Sequence, residues 1–263
     1  MRKFRVEDGL AKQSRTSNWS GYPPQLQLRP GQDLGGRYVV DRFLGAGWEG
    51  EVYKVIEAVT EVPRAAKFYL SRGERTASEV RKAMQAHARK LARLRGCSMV
   101  LQYHHSEVLR VRNKQVPAMI SEYSPGLPLD IWLGYRRRGS LDAFEGMTLL
   151  HAICRGLVAI HDRGEYHGDL HAGNILVRKR GIRFEIKILD FFHHGRQRVE
   201  PRRQDVVDAI HLFYDALGGA SAYAGLQPEA KFIIRGLRAG LIRQRFPTAR
   251  HLQHHLESFT WKG

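Results

Sequence analysis

The stretch Tyr166–Val177, with the sequence YHGDLHAGNILV, constrains this chain more than any other part of it. Asp169 is followed five residues later by Asn174, and the apolar run Ile175–Val177 that comes next predicts a strand. A positioned carboxylate can accept the proton of a hydroxyl, and carboxylate and amide oxygens are ligands for Mg²⁺ beside phosphates. An acid and an amide at this spacing on a loop that enters a strand favour phosphoryl transfer. The plainer alternative is a turn that merely holds an acid and an amide.

A second apolar run, Ile186–Phe192, has the sequence IKILDFF and places Asp190 at the end of a predicted strand. A carboxylate at a strand tip beside an acid-and-amide loop is where a second metal ligand belongs. Together the two segments resemble the catalytic loop and the metal-binding strand end of the protein kinase-like superfamily. The resemblance implies a bilobal α+β fold, with a small antiparallel sheet in the N-lobe and a mainly helical C-lobe that binds ATP and Mg²⁺.

A glycine motif lies upstream in the sequence LGAGWEGEVYKV, with glycines at Gly45, Gly47 and Gly50. The pattern G-x-G-x-x-G alone is weak, because dinucleotide-binding proteins share it. In those proteins it opens a helix, whereas the residues after Gly50 alternate as a strand. A strand–glycine turn–strand hairpin is typical of a kinase phosphate cover, where missing side chains let backbone amides approach the phosphates.

The next predicted strand, Arg64–Tyr69, contains a single lysine, Lys67, between apolar neighbours. A lysine in this setting can simply extend from a strand edge to water. Its place between the glycine hairpin and a long helix resembles that of the family's strand lysine, which implies that Lys67 contacts the phosphates.

The helix predicted from about residue 77 to residue 94 opens with Thr76 and Glu79 in a capping-box pattern. In the kinase family this helix supplies a glutamate that pairs with the strand lysine. Here the apolar spacing places His87 at that position, while Glu79 lies eight residues earlier and is better explained as a cap. The lysine–glutamate pair of the family is therefore not expected from this helix.

A further strand, Pro117–Ser121, runs into a loop that resembles the hinge between the two lobes. By this resemblance the backbone of Glu122 and Tyr123 takes the adenine edge, although an ordinary strand-to-loop exit is the alternative. The resemblance also implies four side chains around the purine: Leu44, Val52, Ala65 and Leu176. The remaining implied roles are catalysis by Asp169, with Lys67 and Asn174, and Mg²⁺ binding by Asn174 and Asp190.

Two helices of the larger lobe are predicted on either side of Tyr166–Val177, which is called the catalytic stretch below. The first, from about residue 141 to residue 163, is a core helix that buries Cys154. The second begins at Gln204 and resembles the helix that anchors the lobe, with Asp205 as its buried anchor. Two terminal helices are expected at Ile233–Leu241 and Thr248–Leu256.

The segment after Asp190 departs from the family pattern. It continues Phe191-Phe192 where the family has Phe-Gly, and it contains no Ser, Thr or Tyr as far as Phe213. Gly168 also stands where an arginine would receive a loop phosphate. The sequence therefore predicts a very short activation segment and no control by phosphorylation there.

The chain is strongly basic, with 43 Lys and Arg against 26 Asp and Glu and a net charge of +17. Basic clusters occur at residues 136–138, 178–180 and 196–203. Such a charge favours nucleic acid, an anionic membrane surface or an acidic protein as a partner, and a merely solvated basic surface is the alternative.

Composition predicts a flexible basic extension at residues 1–35. The resemblance implies the N-lobe at residues 36–123 and the C-lobe at residues 124–263. The chain shows no secretory signal and no expected membrane span, and its two cysteines fit a reducing cytoplasm.

Three function classes remain open at the level of sequence. The glycine hairpin and the ending RFPTARHL favour an atypical Ser/Thr protein kinase of bacterial type. The loop HGDLHAGN resembles the aminoglycoside phosphotransferase type, which would make the chain a small-molecule kinase. A pseudokinase that acts as a binding module would suit both the absence of the helix glutamate and the sequence Asp190-Phe191-Phe192.

Overall fold

The computed structural model describes residues 22–71, 73–136, 139–191 and 199–260. These residues form two compact units. The sheet unit comprises the described residues up to Lys82 together with His105–Tyr123, and the helical unit comprises Ala83–His104 and the described residues from Ser124 onward.

The sheet unit is built on six strands in the order β1-β2-β3-β4-β6-β5. Neighbouring strands from β1 to β4, and β4 with β6, pair antiparallel. Alternation along β3 and β4 buries one face in a core that includes Tyr53, Val55, Ala66 and Phe68. The strands are β1 (Asp33–Leu34), β2 (Tyr38–Ala46), β3 (Gly50–Glu57), β4 (Pro63–Tyr69), β5 (Tyr103–Val111) and β6 (Lys114–Glu122).

The segment of residues 22–34 is part of this core, which corrects the prediction of a flexible extension as far as residue 35. Leu28 and Leu34 are buried in the sheet core, and β1 pairs with β2. The backbone N–H groups of Gln25 and Leu26 donate to the buried carboxylate of Glu51. Because the contacting residues lie far apart in the sequence, residues 22–34 show no periodic pattern from which these contacts could be predicted. Residues 1–21 of the predicted extension lie outside the described residues.

The first helix, α1 (Ala77–Arg93), begins with the predicted capping box. The Thr76 N–H donates to Glu79 Oε2 at 2.8 Å, and the Glu79 N–H donates to Thr76 Oγ1 at 3.2 Å. Two of the N–H groups that the helix start leaves without an intrahelical partner are thereby satisfied. His87 faces inward, 6% exposed, on the same side as the buried Leu91.

The helical unit contains a three-stranded antiparallel sheet in the order β7-β8-β9 and seven α-helices among its described residues after Ser124. The helix α3 packs against α4, α8 and β9 and so forms the centre of this unit. The strands are β7 (Leu127–Pro128), β8 (Ile175–Arg180) and β9 (Arg183–Ile188). The helices are α2 (Leu129–Gly134), α3 (Ala143–Asp162), α4 (Val199–Ala216), α5 (Gly219–Tyr223), α6 (Pro228–Ile234), α7 (Ala239–Arg245) and α8 (Ala249–Ser258), and two short 3₁₀ turns lie at Ala172–Asn174 and Arg235–Leu237.

Two predicted helix boundaries in this unit are wrong. The helix expected to begin at Gln204 is already formed at Val199, the first described residue after the gap. The helix expected over Ile233–Leu241 is broken into α6 and α7, because Arg235, Gly236 and Leu237 have φ values of 54°, 60° and 58°. Left-handed backbone at three successive residues cannot continue a right-handed helix.

The helix α3 is the one helix in the described ranges that is long and apolar enough to cross a membrane. Within the protein, 61% of the apolar segment of this helix is buried, as expected for the core helix that the sequence predicts. Cys154 on this helix is fully buried, and Cys97 is also buried; both are free thiols.

Candidate active site

The catalytic stretch is held in place by the predicted anchor, Asp205 on α4. This carboxylate is fully buried. It accepts hydrogen bonds from the His167 N–H at 2.7 Å, the Gly168 N–H at 2.8 Å and His161 Nε2 at 2.9 Å. Three donors satisfy the buried charge, and the backbone before Asp169 is thereby fixed.

His167 connects the catalytic stretch to the strand end that carries Asp190. Its Nδ1 accepts from the Asp169 N–H at 3.2 Å, so Nε2 carries the proton that it donates to the Leu189 carbonyl at 2.6 Å. Burial lowers the pKa of His167 below its ordinary value, although the Asp205 carboxylate acts in the opposite direction. The neutral ring also packs against Phe191, with ring centroids 4.8 Å apart.

Asp169 and Asn174 face each other across a 3₁₀ turn. The Asn174 Nδ2 donates to the Asp169 carbonyl at 2.9 Å, and Asn174 is only 7% exposed. The Asp169 side chain is 58% exposed, and its Oδ2 lies 3.8 Å from His171 Nε2. The amide is therefore fixed from within, and the carboxylate is accessible to a second molecule.

Asp190 lies beside this turn. The Leu189 N–H donates to the Asn174 carbonyl at 2.8 Å, so the two predicted metal ligands belong to adjoining backbone segments. Asp190 has a φ of 47°, in the left-handed region that residues other than glycine seldom adopt. Such backbone is concentrated at functional sites, where surrounding contacts enforce it. Leu176, the predicted purine contact of this unit, is buried on β8.

The oxygen donors at Asn174 and Asp190 fit Mg²⁺ better than a transition metal. The described residues contain no cluster of three or more His, Cys, Asp and Glu that could hold a metal ion by themselves. Mg²⁺ commonly takes only one or two protein oxygens and completes its shell with phosphates and water. Because the side-chain nitrogen Nδ2 of Asn174 donates to Asp169, the side-chain oxygen Oδ1 is the atom left to bind a cation.

In the sheet unit, the glycine motif forms the predicted tight turn between β2 and β3. The Gly47 N–H donates to the Gly50 carbonyl at 2.8 Å, and the Leu70 N–H fixes the Glu49 carbonyl at 2.9 Å. A Cβ at Gly50 would lie 1.8 Å from the Phe68 carbonyl oxygen, so no side chain fits there. Trp48, at the tip of the turn, is 53% exposed.

The predicted phosphate and purine contacts Val52, Ala65 and Lys67 lie on one face of the sheet of this unit. Gly45 pairs with Val52, and Val52 with Lys67. Ala65, two residues from Lys67, shares its face because strand side chains alternate. Phe43 packs against the core of the opposite face, and Leu44 lies where the register of β2 and β3 shifts between Phe43 and Gly45.

Lys67 forms an ion pair that the sequence did not predict. Its Nζ lies 2.8 Å from Oε2 of Glu49, inside the glycine motif, and 5.2 Å from the Tyr69 ring centroid. The carboxylate thus comes from the turn and not from a helix glutamate. The sequence does contain a signal for this pair. The glycine motif includes an acid, Glu49, and the helix has His87 at the position of the family's glutamate.

The hinge residues Glu122 and Tyr123 close the sheet unit. Glu122 ends β6, where its backbone lies opposite Arg64 of β4 in the sheet. The Tyr123 hydroxyl accepts from Arg42 Nη2 at 2.8 Å, and Lys54 Nζ lies 4.9 Å from its ring centroid. The tyrosine side chain thus contacts two cationic side chains. These contacts do not involve its backbone, to which the predicted role belongs.

The second half of α1 is bound to the start of the catalytic stretch within the helical unit. Lys90 is 1% exposed, with its Nζ 3.8 Å from the Tyr166 ring centroid. Arg93 Nε donates to the buried Glu165 at 2.5 Å. A cation–π contact and a half-buried ion pair therefore fix this helix.

The structure thus brings the predicted site residues together in two groups. The first lies in the sheet unit and comprises Leu44, Gly45, Gly47, Gly50, Val52, Ala65, Lys67, Glu122 and Tyr123. The second lies in the helical unit and comprises Asp169, Asn174, Leu176 and Asp190. The individual roles assigned to these residues stay predictions.

Comparison with known proteins identifies the class to which this fold belongs. The model of the protein kinase domain family matches residues 38–209. The chain therefore belongs to the protein kinase domain family. The structure of the PknI kinase domain of Mycobacterium tuberculosis superposes with a TM-score of 0.65 at 21% identity, over 88% of this chain and 98% of that one, which confirms the α+β kinase fold.

Curated relatives include several bacterial Ser/Thr protein kinases. PksC of Streptomyces coelicolor is 27% identical over 160 residues, which are 60% of this chain and 28% of that protein. PknA of Mycobacterium tuberculosis is 26% identical over 167 residues, or 63% of this chain and 37% of that protein. Pkn1 of Myxococcus xanthus is 40% identical over 76 residues, or 28% of this chain and 10% of that protein. The chain thus spans about a tenth to slightly more than a third of the length of these relatives.

Proposed function

We propose that the protein is an ATP-dependent kinase that transfers the γ-phosphate to Ser or Thr hydroxyls of a protein substrate. The observation that carries this proposal is the arrangement of Asp169, Asn174 and Asp190 around one buried network anchored by Asp205. Membership in the protein kinase family and likeness to bacterial Ser/Thr protein kinases support it.

Asp169 acts on the acceptor hydroxyl. Its backbone is held at both ends, by His167 and by Asn174, while its carboxylate is open. In the proposed reaction the carboxylate orients the hydroxyl and takes its proton as the oxygen attacks the γ-phosphorus. The bond from that phosphorus to the bridging oxygen of ATP breaks, and ADP leaves. Positioning and electrostatics supply most of the acceleration in phosphoryl transfer.

Asn174 and Asp190 would hold Mg²⁺, which supplies charge neutralisation for the phosphates when bound. The protein contributes two oxygen ligands on backbone segments joined by the hydrogen bond from Leu189 to Asn174. In the sheet unit, Lys67 would contact the phosphates, and the turn that contains Gly45, Gly47 and Gly50 would cover them.

Two other functions receive less support. A small-molecule kinase was suggested by the loop HGDLHAGN, but the relatives found are protein kinases. A pseudokinase was suggested by the absence of the helix glutamate, yet Lys67 does have a carboxylate partner in Glu49.

Substitution of the two aspartates tests the proposal. Asp169→Asn preserves shape but removes the proton acceptor, so we expect nucleotide affinity to be nearly unchanged and turnover to fall by about a hundredfold or more. Asp190→Asn removes a metal ligand and should weaken Mg²⁺-dependent nucleotide binding as well. Labelled ATP measures transfer to protein, and thermal shift with Mg²⁺ and ADP measures binding.

Asp162→Asn is a matched control, because Asp162 is 55% exposed in the same unit and forms a surface pair with Arg250. Loss of such a pair has little effect on stability. The proposal is wrong if the wild type, Asp169→Asn and Asp190→Asn all give the same background rate. Label that lands on an aminoglycoside and never on protein would favour the small-molecule kinase.

Regulation and partners extend this proposal. The chain carries no Ser, Thr or Tyr from Phe191 to Phe213, so activity would not depend on phosphorylation there. Residues 192–198 of this short activation segment lie outside the described residues.

The net charge of +17 supports an acidic protein or nucleic acid as a partner. A cytoplasmic location is proposed from the two reduced cysteines.

A further inference from the structure

Lys67 and Glu49 belong to one rigid piece of the sheet unit. Lys67 lies on β4, with only 11% of its side chain exposed, and its Nζ is 2.8 Å from the Glu49 carboxylate. The Glu49 carbonyl is fixed by the Leu70 N–H, one residue beyond the end of β4. The carboxylate therefore extends from a backbone position that is itself hydrogen-bonded next to the strand of its partner.

The geometry of the turn gives Glu49 little freedom. Gly47 and Gly50 are joined by two backbone hydrogen bonds, of 2.8 and 3.3 Å. Gly50 packs so closely on β4 that a Cβ would overlap the Phe68 carbonyl. A carboxylate held this way needs little ordering to meet Lys67, which is the condition under which an ion pair contributes most.

The helix α1 does not provide an equivalent carboxylate. Glu79 is the sole acid in the sequence Ala77–Arg93. It is engaged at the helix start, where hydrogen bonds from Thr76 lower its pKa. Further along α1, Lys90 and Arg93 bind the residues that open the catalytic stretch.

We propose that Glu49 is the positioning residue for Lys67, so that the glycine turn supplies the carboxylate that keeps the lysine directed at the nucleotide phosphates. This inference rests on the proposed function, because it assigns Lys67 to phosphate binding. Lysine and carboxylate then form one local assembly of the sheet unit.

The opposite role for the same contact is competition. A carboxylate on a phosphate cover can occupy the lysine until a nucleotide displaces it, and its removal would then strengthen nucleotide binding. The fixed turn and the low exposure of Lys67 favour positioning, because the N–H donors of a largely buried ammonium need acceptors.

A double-mutant cycle on nucleotide binding tests the inference without relying on turnover. The four proteins are the full-length wild type, Glu49→Gln, Lys67→Met and the double variant, each titrated with Mg·ADP and Mg·ATP. If Glu49 acts through Lys67, Glu49→Gln weakens ATP binding by about ten- to hundredfold, the range for losing one hydrogen bond to a charged group. In the Lys67→Met background the same substitution should change affinity by less than about twofold.

Two further variants separate positioning from a loss of structure. Glu49→Asp keeps the charge on a shorter side chain and should restore part of the affinity lost in Glu49→Gln. Glu61→Gln removes one negative charge from the exposed turn between β3 and β4 and should leave affinity unchanged. Thermal unfolding of Glu49→Gln without nucleotide should stay within a few degrees of the wild type.

Three outcomes overturn the inference. They are tighter ATP binding by Glu49→Gln, an equal loss in both lysine backgrounds, and no nucleotide binding by the wild type. Coupling between Glu49 and Lys67 in a protein that transfers no phosphate would contradict the proposed kinase activity and leave the positioning role intact. A fourth outcome, transfer by Glu49→Gln at the wild-type rate with ATP below its Kd, would contradict the positioning role and leave the proposed kinase activity intact.

Discussion

Asp205 orders the catalytic stretch through the backbone rather than by contact with a reacting group. Its carboxylate accepts from two successive N–H groups, of His167 and Gly168, and from His161. The direction of the Asp169 side chain follows from that backbone. Removal of Asp205 would leave these donors unsatisfied in the interior, a loss typically of several kcal/mol.

The neutral His167 makes stability depend on pH. Burial lowers its pKa in the folded protein, whereas the unfolded chain takes up a proton near the ordinary value of 6.5. Below that value the unfolded state binds more protons, so the free energy of unfolding falls as the pH falls. We expect a lower unfolding midpoint at pH 5.5 than at pH 7.5, measured by thermal denaturation.

His167→Gln isolates this contribution. Glutamine takes up no proton, so the variant should be less stable at pH 7.5 but lose less stability between pH 7.5 and 5.5. His255, whose pKa burial also lowers, acts in the same direction and remains in both proteins. Equal losses in the wild type and the variant would show that His167 is not responsible.

At the level of elements, local signals in the sequence were reliable. The glycine hairpin and the capping box at Thr76 and Glu79 are confirmed, because each depends on neighbours in the chain. The order of residues 22–34 was missed, because Glu51 and the buried core that hold them lie farther along the chain. The pair of Glu49 with Lys67 was missed for the same reason, since it joins residues on different elements.

The break between α6 and α7 shows a different limit. Apolar residues at Ile233, Ile234, Leu237 and Leu241 keep a helical spacing across it. The left-handed residues Arg235 and Leu237 interrupt the helix, although neither residue type signals such a conformation. Apolar periodicity alone therefore does not locate this boundary, whereas Gly236, between these two residues, is a local signal for a helix end.

The segment before β1 should stabilise the sheet unit. Leu28 is 7% exposed in the core, and its N–H donates to the Tyr53 hydroxyl at 3.4 Å. Leu28→Ala should lower the free energy of unfolding by about 2–3 kcal/mol, because it leaves a cavity in a packed core. Urea denaturation measures the change. Val59→Ala, at a side chain that is 91% exposed, is the control and should change stability by less than about 0.5 kcal/mol.

For the whole molecule, the excess of positive charge is only partly compensated by internal pairs. Glu145 binds both Arg136 and Lys179, and Arg180 pairs with the exposed Glu185. The sequence nevertheless retains a net charge of +17. Long-range attraction to polyanions follows from that net charge and not from any one residue.

We expect the protein to bind generic RNA or DNA at low salt. Counterion release makes such binding steeply salt-dependent, so affinity should fall by about tenfold or more between 50 and 200 mM salt. A double substitution, Arg178→Gln with Arg180→Gln, should reduce the salt slope, whereas Arg37→Gln in the sheet unit serves as a single-charge control. Absence of binding at 50 mM salt would leave the charge without a nucleic-acid role.

The burial of both cysteines has a practical consequence. Cys97 is 2% exposed and Cys154 is fully buried, and burial raises the pKa of the Cys154 thiol. Since the thiolate is the reactive form, neither should compete for a maleimide while the protein is folded. A cysteine introduced at Val59, on the surface of the sheet unit, would then be the single site for a fluorophore or spin label without removal of a native residue.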